Sequence, residues 1–153
     1  MTLYGLYLAI HILAVVVWVG GTLTVQILAT RANNSEDPAR MAALAGDTEW
    51  VGMRVFMPAS ILALISGIVL VLDGHWGFGH FWILFGLFGI LFSAVTGAAF
   101  IGPETGRLKK LIEDEGPAAS PVRDRMQRIF LISRIELVIL LLVVADMALK
   151  PGS

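Results

Sequence analysis

The sequence predicts an all-α integral membrane protein, a four-helix bundle with both termini outside. Hydrophobic residues make up 57% of the chain and charged residues only 15%, well below the roughly one quarter that is typical of soluble domains. The apolar residues form four long runs, and basic residues cluster in two of the connections between them. We therefore expect a single domain over residues 1–153, with spans at about 3–29, 55–72, 81–101 and 129–149.

The first apolar run, residues 3–29, carries no formally charged side chain and is long enough to cross a bilayer. No basic segment precedes it and it is longer than the core of a signal peptide, so we expect a retained helix. Its polar and aromatic residues follow helical spacing, which predicts that they share one face and form the wall of an internal site. They are Tyr4, Tyr7, His11, Trp18 and Thr22.

The next two runs are punctuated by proline and glycine. Pro58 lacks the N–H that would bond the carbonyl of Arg54, so we expect the second helix to kink there. The Gly-rich segment 73–80 predicts a loop, and a polar helical extension after the third run is expected to end near Gly116. Small residues recur every fourth position on both helices and predict close packing. They are Ala59, Ala63 and Gly67 on the second, and Gly89, Ser93 and Gly97 on the third.

The distribution of basic residues predicts the orientation. Nine of the eleven Lys and Arg residues lie within 30–54 and 102–128, whereas the 73–80 loop has none. By the positive-inside rule both larger connections are cytoplasmic, in a multi-pass protein of the cell's inner (cytoplasmic) membrane. The expected partner of these basic residues is the lipid bilayer and not nucleic acid. The composition leaves open whether copies associate as a homo-oligomer.

His11 is the strongest candidate for a functional residue. An ionisable ring inside a membrane span is expensive to bury, which favours a ligand or proton-handling role. The chain has no Cys, and it has no His-x-x-x-His or Glu-x-x-His pair for a zinc or copper site. Haem b needs only one or two axial ligands and an apolar slot, so it fits the available residues best. We expect Tyr7, Val15 and Trp18 to line that slot.

Two further histidines complete the set of candidate site residues, together with three charged residues near the basic connections, called here the inner charges. His75 and His80 lie in the Gly-rich loop, where each is either solvated or a second axial ligand. For the charged residues near the basic connections two interpretations stay open. One is a buried ion pair that joins the second and fourth helices. The other is cofactor binding, in which an arginine holds a haem propionate. These residues are Arg54, Arg134 and Glu136, with Arg54 and Glu136 as the expected pair.

Together these residues resemble the small four-helix membrane proteins of the HemJ-type protoporphyrinogen oxidase group and the related CopD-like membrane domains. The resemblance covers all four spans and extends to uncharacterised predicted integral membrane proteins. The matching motifs are His11 followed by Trp18 and Gly20-Gly21, then Arg54 before Pro58, then Glu136 and a closing Lys150-Pro151. The resemblance implies that His11 is a haem axial ligand.

One departure from that pattern concerns the chemistry. HemJ-type proteins carry a Lys within the third helix, whereas residues 81–101 contain none and the nearest position is Gly86. The leading hypothesis is therefore a haem-b-binding membrane protein that acts in electron transfer, haem handling or porphyrin-linked redox chemistry. The first alternative is an oxidoreductase outright, oxidising protoporphyrinogen. The second is a cofactor-free membrane helper or a copper-handling module.

The predicted orientation can be tested by labelling single cysteines in intact cells, since the native chain has none. With both termini outside, Gly77→Cys should react with a membrane-impermeant thiol reagent, and Ile112→Cys should react only after the cells are opened. Reaction at position 112 without reaction at position 77 in intact cells would overturn the orientation.

Overall fold

The computed structural model describes residues 2–35 and 37–150, and all regular structure within these ranges is helical. Four long helices follow one another: α1, Leu3–Asn34; α2, Pro38–Asp73; α3, Phe81–Glu115; and α4, Ser120–Leu149. The predicted all-α class is confirmed, as are the Gly-rich loop and the helical extension that stops just before Gly116. Pro151, which was expected to close the fourth helix, lies outside the described residues.

Within the described ranges, three helices, α1, α2 and α3, are long and apolar enough to cross a membrane. Each has at least 32 residues, which at 1.5 Å per residue is longer than the roughly 30 Å of hydrocarbon in a bilayer. The helix α4 is shorter, with 30 residues. Its apolar half contains Arg134, Glu136 and Asp146. A fourth span and the orientation of the bundle therefore stay predictions.

The bundle has two chemically different ends, named here for use below. The loop end holds the turn between α2 and α3 and the last turn of α4, where Lys150 lies. The basic end holds the connection between α1 and α2 and the connection between α3 and α4, with Lys109 and Arg125 near the latter.

A π-helical segment interrupts each of the three apolar helices: Val16–Gly20 in α1, Gly52–Phe56 in α2 and Thr96–Ile101 in α3. In α2 and α3 regular α-helix resumes directly after the π-helical segment. The first turn of that α-helical part holds Pro58 in α2 and Pro103 in α3. Since proline offers no N–H to the carbonyl four residues earlier, the wider π turn lets the helix pass that point without ending. The irregularity expected at Pro58 thus takes the form of a π-helical segment inside a continuous helix.

Small residues lie at the two main helix contacts, as predicted. The helix α1 packs mainly on α2, where Ala59 and Ala63 are buried in a core cluster that also contains Trp18. The helix α3 packs mainly on α4, and a methyl group at Gly89 would come within 2.6 Å of Val143 Cγ2. Gly97 differs, because a methyl group there would meet open space.

At the basic end the bundle has a second core of its own. Its buried residues come from all four helices, and they are Ala32, Met41, Leu108, Val122 and Met126. Beside it, buried Glu104 accepts hydrogen bonds from Arg107 Nη1 at 2.6 Å and from Arg125 Nη1 at 2.7 Å. Glu104 therefore joins α3 to α4, while an ion pair between Lys109 and Glu49 joins α3 to α2.

Glu104 lies three residues beyond the apolar run that ends at Ile101, outside the spanning segment. The hydrogen bond from Arg107 lowers its pKa below the ordinary value of 4.5, burial opposes this, and the hydrogen bond and charge of Arg125 lower it further. A carboxyl whose pKa is lowered in the folded state adds stability above its unfolded pKa. That stability is lost as the pH falls through the folded pKa.

We expect Gly89→Ala to lower the melting temperature of the protein in detergent, because the β-branched side chain of Val143 on α4 has little rotamer freedom. Overpacking of this kind costs about 1–3 kcal/mol, of which the better helix propensity of Ala returns at most about 1 kcal/mol. Gly97→Ala is the matched control on the same helix, and its melting temperature should be unchanged or higher. Equal changes in the two variants would contradict the proposed contact.

We expect Glu104→Gln to melt below wild type at neutral pH, because it removes a charge held by two arginines. The difference should narrow as the pH falls from about 4.5 through the lowered pKa of the folded protein, where the wild-type carboxylate loses its charge too. Melting temperatures of both proteins measured between pH 3 and pH 7 test this. A difference that stays constant over that range would show that the two ion pairs add no pH-dependent stability.

Candidate functional site

A cavity of about 390 Å³ lies between the helices in the loop-end half of the bundle. Most of its wall is aliphatic, contributed by all four helices and by the loop between α2 and α3. Its volume is within the range of small-molecule and cofactor sites. The side chains in the wall that carry polar atoms are Tyr4, His11, Trp76, Trp82 and Lys150.

His11 is half-buried in this wall and is bound to α2 through one ring nitrogen. Its Nδ1 lies 2.8 Å from the carbonyl oxygen of Ala63 and 3.2 Å from Ser66 Oγ. A carbonyl oxygen can only accept, so the neutral ring carries its proton on Nδ1 and donates it to Ala63. Nε2 then has a lone pair that is available to a ligand. This arrangement, with one nitrogen bound to backbone, is the one that orients metal-ligating histidines.

Gly67 makes room for the imidazole. A methyl group at this position would lie 3.0 Å from His11 Cε1 and 3.3 Å from its Nδ1. The small residues predicted on α2 therefore do more than pack against α1, because Ala63 supplies the acceptor and Gly67 the space for the ring.

Near the loop end the cavity is bordered by two indoles and an amine. Lys150 Nζ lies 5.1 Å from the ring centroid of Trp76 and 5.3 Å from that of Trp82, within range of cation–π attraction. The two indoles meet edge to face with centroids 5.5 Å apart. Trp82 is only 8% exposed, and its Nε1 donor has no hydrogen-bond partner in the described residues. This part of the wall is suited to an acceptor group on a bound molecule.

The two loop histidines do not line the cavity. His75 is exposed, has φ 55°, and its Nδ1 donates to the carbonyl of Asp73 at 2.9 Å. His80 lies against Trp76 with ring centroids 5.8 Å apart. The loop does fold onto the bundle, but it brings Trp76 and Phe78 to the cavity and leaves both histidines outside the wall.

The residue face predicted on α1 reaches the cavity only in part. Tyr4, His11 and Val15 line it, whereas Tyr7 does not. Trp18 is buried in the neighbouring core with Ala59 and Leu137. Trp18 lies within the π-helical segment Val16–Gly20, where a spacing of 3.6 residues per turn no longer applies.

The inner charges Arg54, Arg134 and Glu136 lie away from this cavity. The predicted ion pair of Arg54 with Glu136 is wrong. Glu136 is 8% exposed and accepts a hydrogen bond from Ser93 Oγ of α3, while Arg54 is exposed with its guanidinium 5.5 Å from the Trp50 ring centroid. The two residues use different faces because α4 turns Glu136 toward α3. None of the ion pairs among the described residues includes Arg54, Arg134 or Glu136.

Sequence reasoning did not identify Trp76, Trp82 or Lys150 as parts of the site. Lys150 was considered only as part of the closing Lys150-Pro151 motif. A signal was available, because Trp82 lies in the first turn of α3, at the same end at which Lys150 follows the last residue of α4. Lys150 also lies over the ring of Trp76, which the loop brings to the same place.

No group of three or more His, Asp or Glu side chains that could hold a metal ion occurs within residues 2–35 and 37–150. A family described as "Predicted integral membrane protein (DUF2269)" matches residues 6–151, nearly the whole chain. The chain belongs to this family. No curated protein and no solved structure matches it.

Membership in the DUF2269 family agrees with the surface of the bundle. Many large apolar side chains are exposed along the helices, as a lipid-facing surface requires. The chain is thus a multi-pass helical integral membrane protein, and lipid is the environment of its spans.

Proposed function

We propose that this DUF2269 protein is a four-span membrane protein with both termini outside that binds haem b, with Nε2 of His11 as axial ligand. The observation that carries the proposal is the hydrogen bond of His11 Nδ1 to the Ala63 carbonyl in the wall of an apolar cavity. It supports a neutral, oriented imidazole, the form in which histidine binds haem iron.

The residues present fit such a group at both ends of the cavity. Aliphatic side chains surround His11 and would cover the porphyrin faces, excluding water from the iron. At the loop end the unpartnered Nε1 of Trp82 would donate to a propionate, beside the ammonium of Lys150 and the hydroxyl of Tyr4. The buried indole N–H of Trp82 lacks an acceptor, and a haem propionate would supply one.

When bound, haem b supplies one-electron redox chemistry. The protein's own part is to hold the iron through His11, to fix the ring through Ala63, and to keep the surroundings apolar. These features serve electron transfer, haem handling or a porphyrin-linked redox step equally. For the alternative of protoporphyrinogen oxidation, the relevant residue is the third-helix Lys of the HemJ-type proteins. Its nearest position here, Gly86, lines the cavity, and the amine in the cavity wall is that of Lys150 instead.

Optical spectra test the proposal. Protein produced with adequate haem should show a Soret band that shifts on reduction, and His11→Ala should lose it while remaining folded, with an unchanged elution volume and a cooperative melting transition. His75→Ala and His80→Ala are matched controls and should keep the band, because neither residue lines the cavity.

A full Soret band with unchanged iron coordination in His11→Ala would place the ligand elsewhere, with His75 and His80 the next residues to test. Haem-supplied wild-type protein with no Soret band would favour the cofactor-free helper or copper-handling alternative. Turnover with a porphyrinogen would identify the enzyme.

A further inference from the structure

A second, polar groove of about 460 Å³ lies between α1 and α4 at the basic end. It is separate from the His11 cavity, and the two share no lining residue. Below it is called the Arg134 groove. Its polar lining side chains are Gln26, Thr30, Asn33, Asn34, Gln127 and Arg134.

Arg134 is the one charged side chain that lines this groove among the described residues, so the lining carries a single positive charge. Arg134 is exposed, and it forms no ion pair or hydrogen bond with any part of the chain that the structure describes. A guanidinium with five N–H donors in a fixed fork suits a phosphate or carboxylate. The groove therefore has the charge of an anion site.

Two of the polar side chains around Arg134 already donate hydrogen bonds within the protein, and three amide side chains do not. Gln26 Nε2 donates to the carbonyl of Phe130 at 3.3 Å, and Thr30 Oγ1 donates to the carbonyl of Gln26 at 2.9 Å. The side chains of Asn33, Asn34 and Gln127 make no hydrogen bond within residues 2–35 and 37–150, so their amide N–H groups remain available to a ligand.

The groove lies where the apolar runs of both helices end. On α1 the run finishes at Ala29, next to Thr30. On α4 it begins near residue 129, which places Arg134 about 7.5 Å along the helix at 1.5 Å per residue. An arginine at that depth extends its side chain toward the headgroups. Its guanidinium is thus expected at the level of the lipid phosphates.

Apolar side chains continue from the groove toward the middle of the bundle. Leu131 lines the groove and is exposed, and Ile135 and Val138 follow it at helical spacing, also exposed. On α1, Ile27 and Leu23 are exposed four residues apart. A free phosphate would not use this strip, whereas the acyl chains of a lipid would lie along it.

We infer that the Arg134 groove binds the phosphate of an anionic phospholipid, with Arg134 and the amides on the headgroup and the Leu131 strip on an acyl chain. Basic pockets between membrane helices hold anionic headgroups by this chemistry. The inference goes beyond haem binding and does not rest on it, since none of its residues touches the His11 cavity.

The test is a binding titration of the purified full-length protein by native mass spectrometry. The probes are short-chain phosphatidylglycerol, the matched phosphatidylcholine and inorganic phosphate. Phosphatidylglycerol should bind more tightly than the other two. Arg134→Gln should weaken it by about tenfold or more, the loss expected for a charge-assisted hydrogen bond. The phosphatidylglycerol affinity of Arg134→Lys should lie between those of wild type and Arg134→Gln, because lysine keeps the charge without the forked guanidinium donors.

Arg128→Gln is the matched control, since Arg128 is exposed on the same helix but does not line the groove. It should leave the affinity within about twofold, the size of effect expected for a screened surface charge. Unchanged binding in Arg134→Gln, or an equal loss in Arg128→Gln, would overturn the site. Inorganic phosphate binding as tightly as the lipid would overturn its assignment to a phospholipid. The Soret band of Arg134→Gln tests haem binding at His11 and not phospholipid binding at the Arg134 groove. The haem proposal and the phospholipid proposal can therefore fail separately.

Discussion

The hydrogen bond from His11 Nδ1 to the Ala63 carbonyl is the contact on which the loop-end half of the bundle depends. Hydrocarbon offers an imidazole no partner, so α1 can carry His11 only where another helix supplies one. The Ala63 carbonyl has a second lone pair beyond its helical bond, and Gly67 leaves the ring space to reach it. The position of α1 on α2 follows, and with it the wall of the cavity.

The π-helical segments change which side chains meet. In α1 the segment Val16–Gly20 contains Val16, which lines the cavity, and Trp18, which packs in the core, so neighbouring residues of one segment have different surroundings. In α2 and α3 the segments precede Pro58 and Pro103 and let both helices run continuously between the loop end and the basic end. Each helix therefore reaches two chemically distinct regions, an apolar half with one imidazole and a polar half held by ion pairs.

In the apolar part of the bundle, buried Glu136 is paired by a neighbouring helix and not by the partner that charge alone would choose. Glu136 accepts from the hydroxyl of Ser93, although arginines are present on α2 and α4. The guanidinium of Arg54 lies instead over the ring of Trp50. Near the lipid surface an arginine also has phosphate groups to bind, which removes the need for an internal carboxylate.

The sequence by itself determined the helical class, the Gly-rich loop, the small-residue faces of α2 and α3, and His11 as the residue to examine. Of the four spans that it predicts, three are helices long and apolar enough to cross a membrane. These are properties of composition and local spacing, which act within one helix. Only the tertiary structure decided which ring nitrogen of His11 is committed, that Trp82 and Lys150 share its cavity, that His75 and His80 do not, and that Glu136 meets Ser93. Those outcomes depend on the rotation of each helix relative to its neighbours and on the path of the loop. Neither can be read from residue spacing, because a small change in rotation exchanges one neighbouring side chain for another.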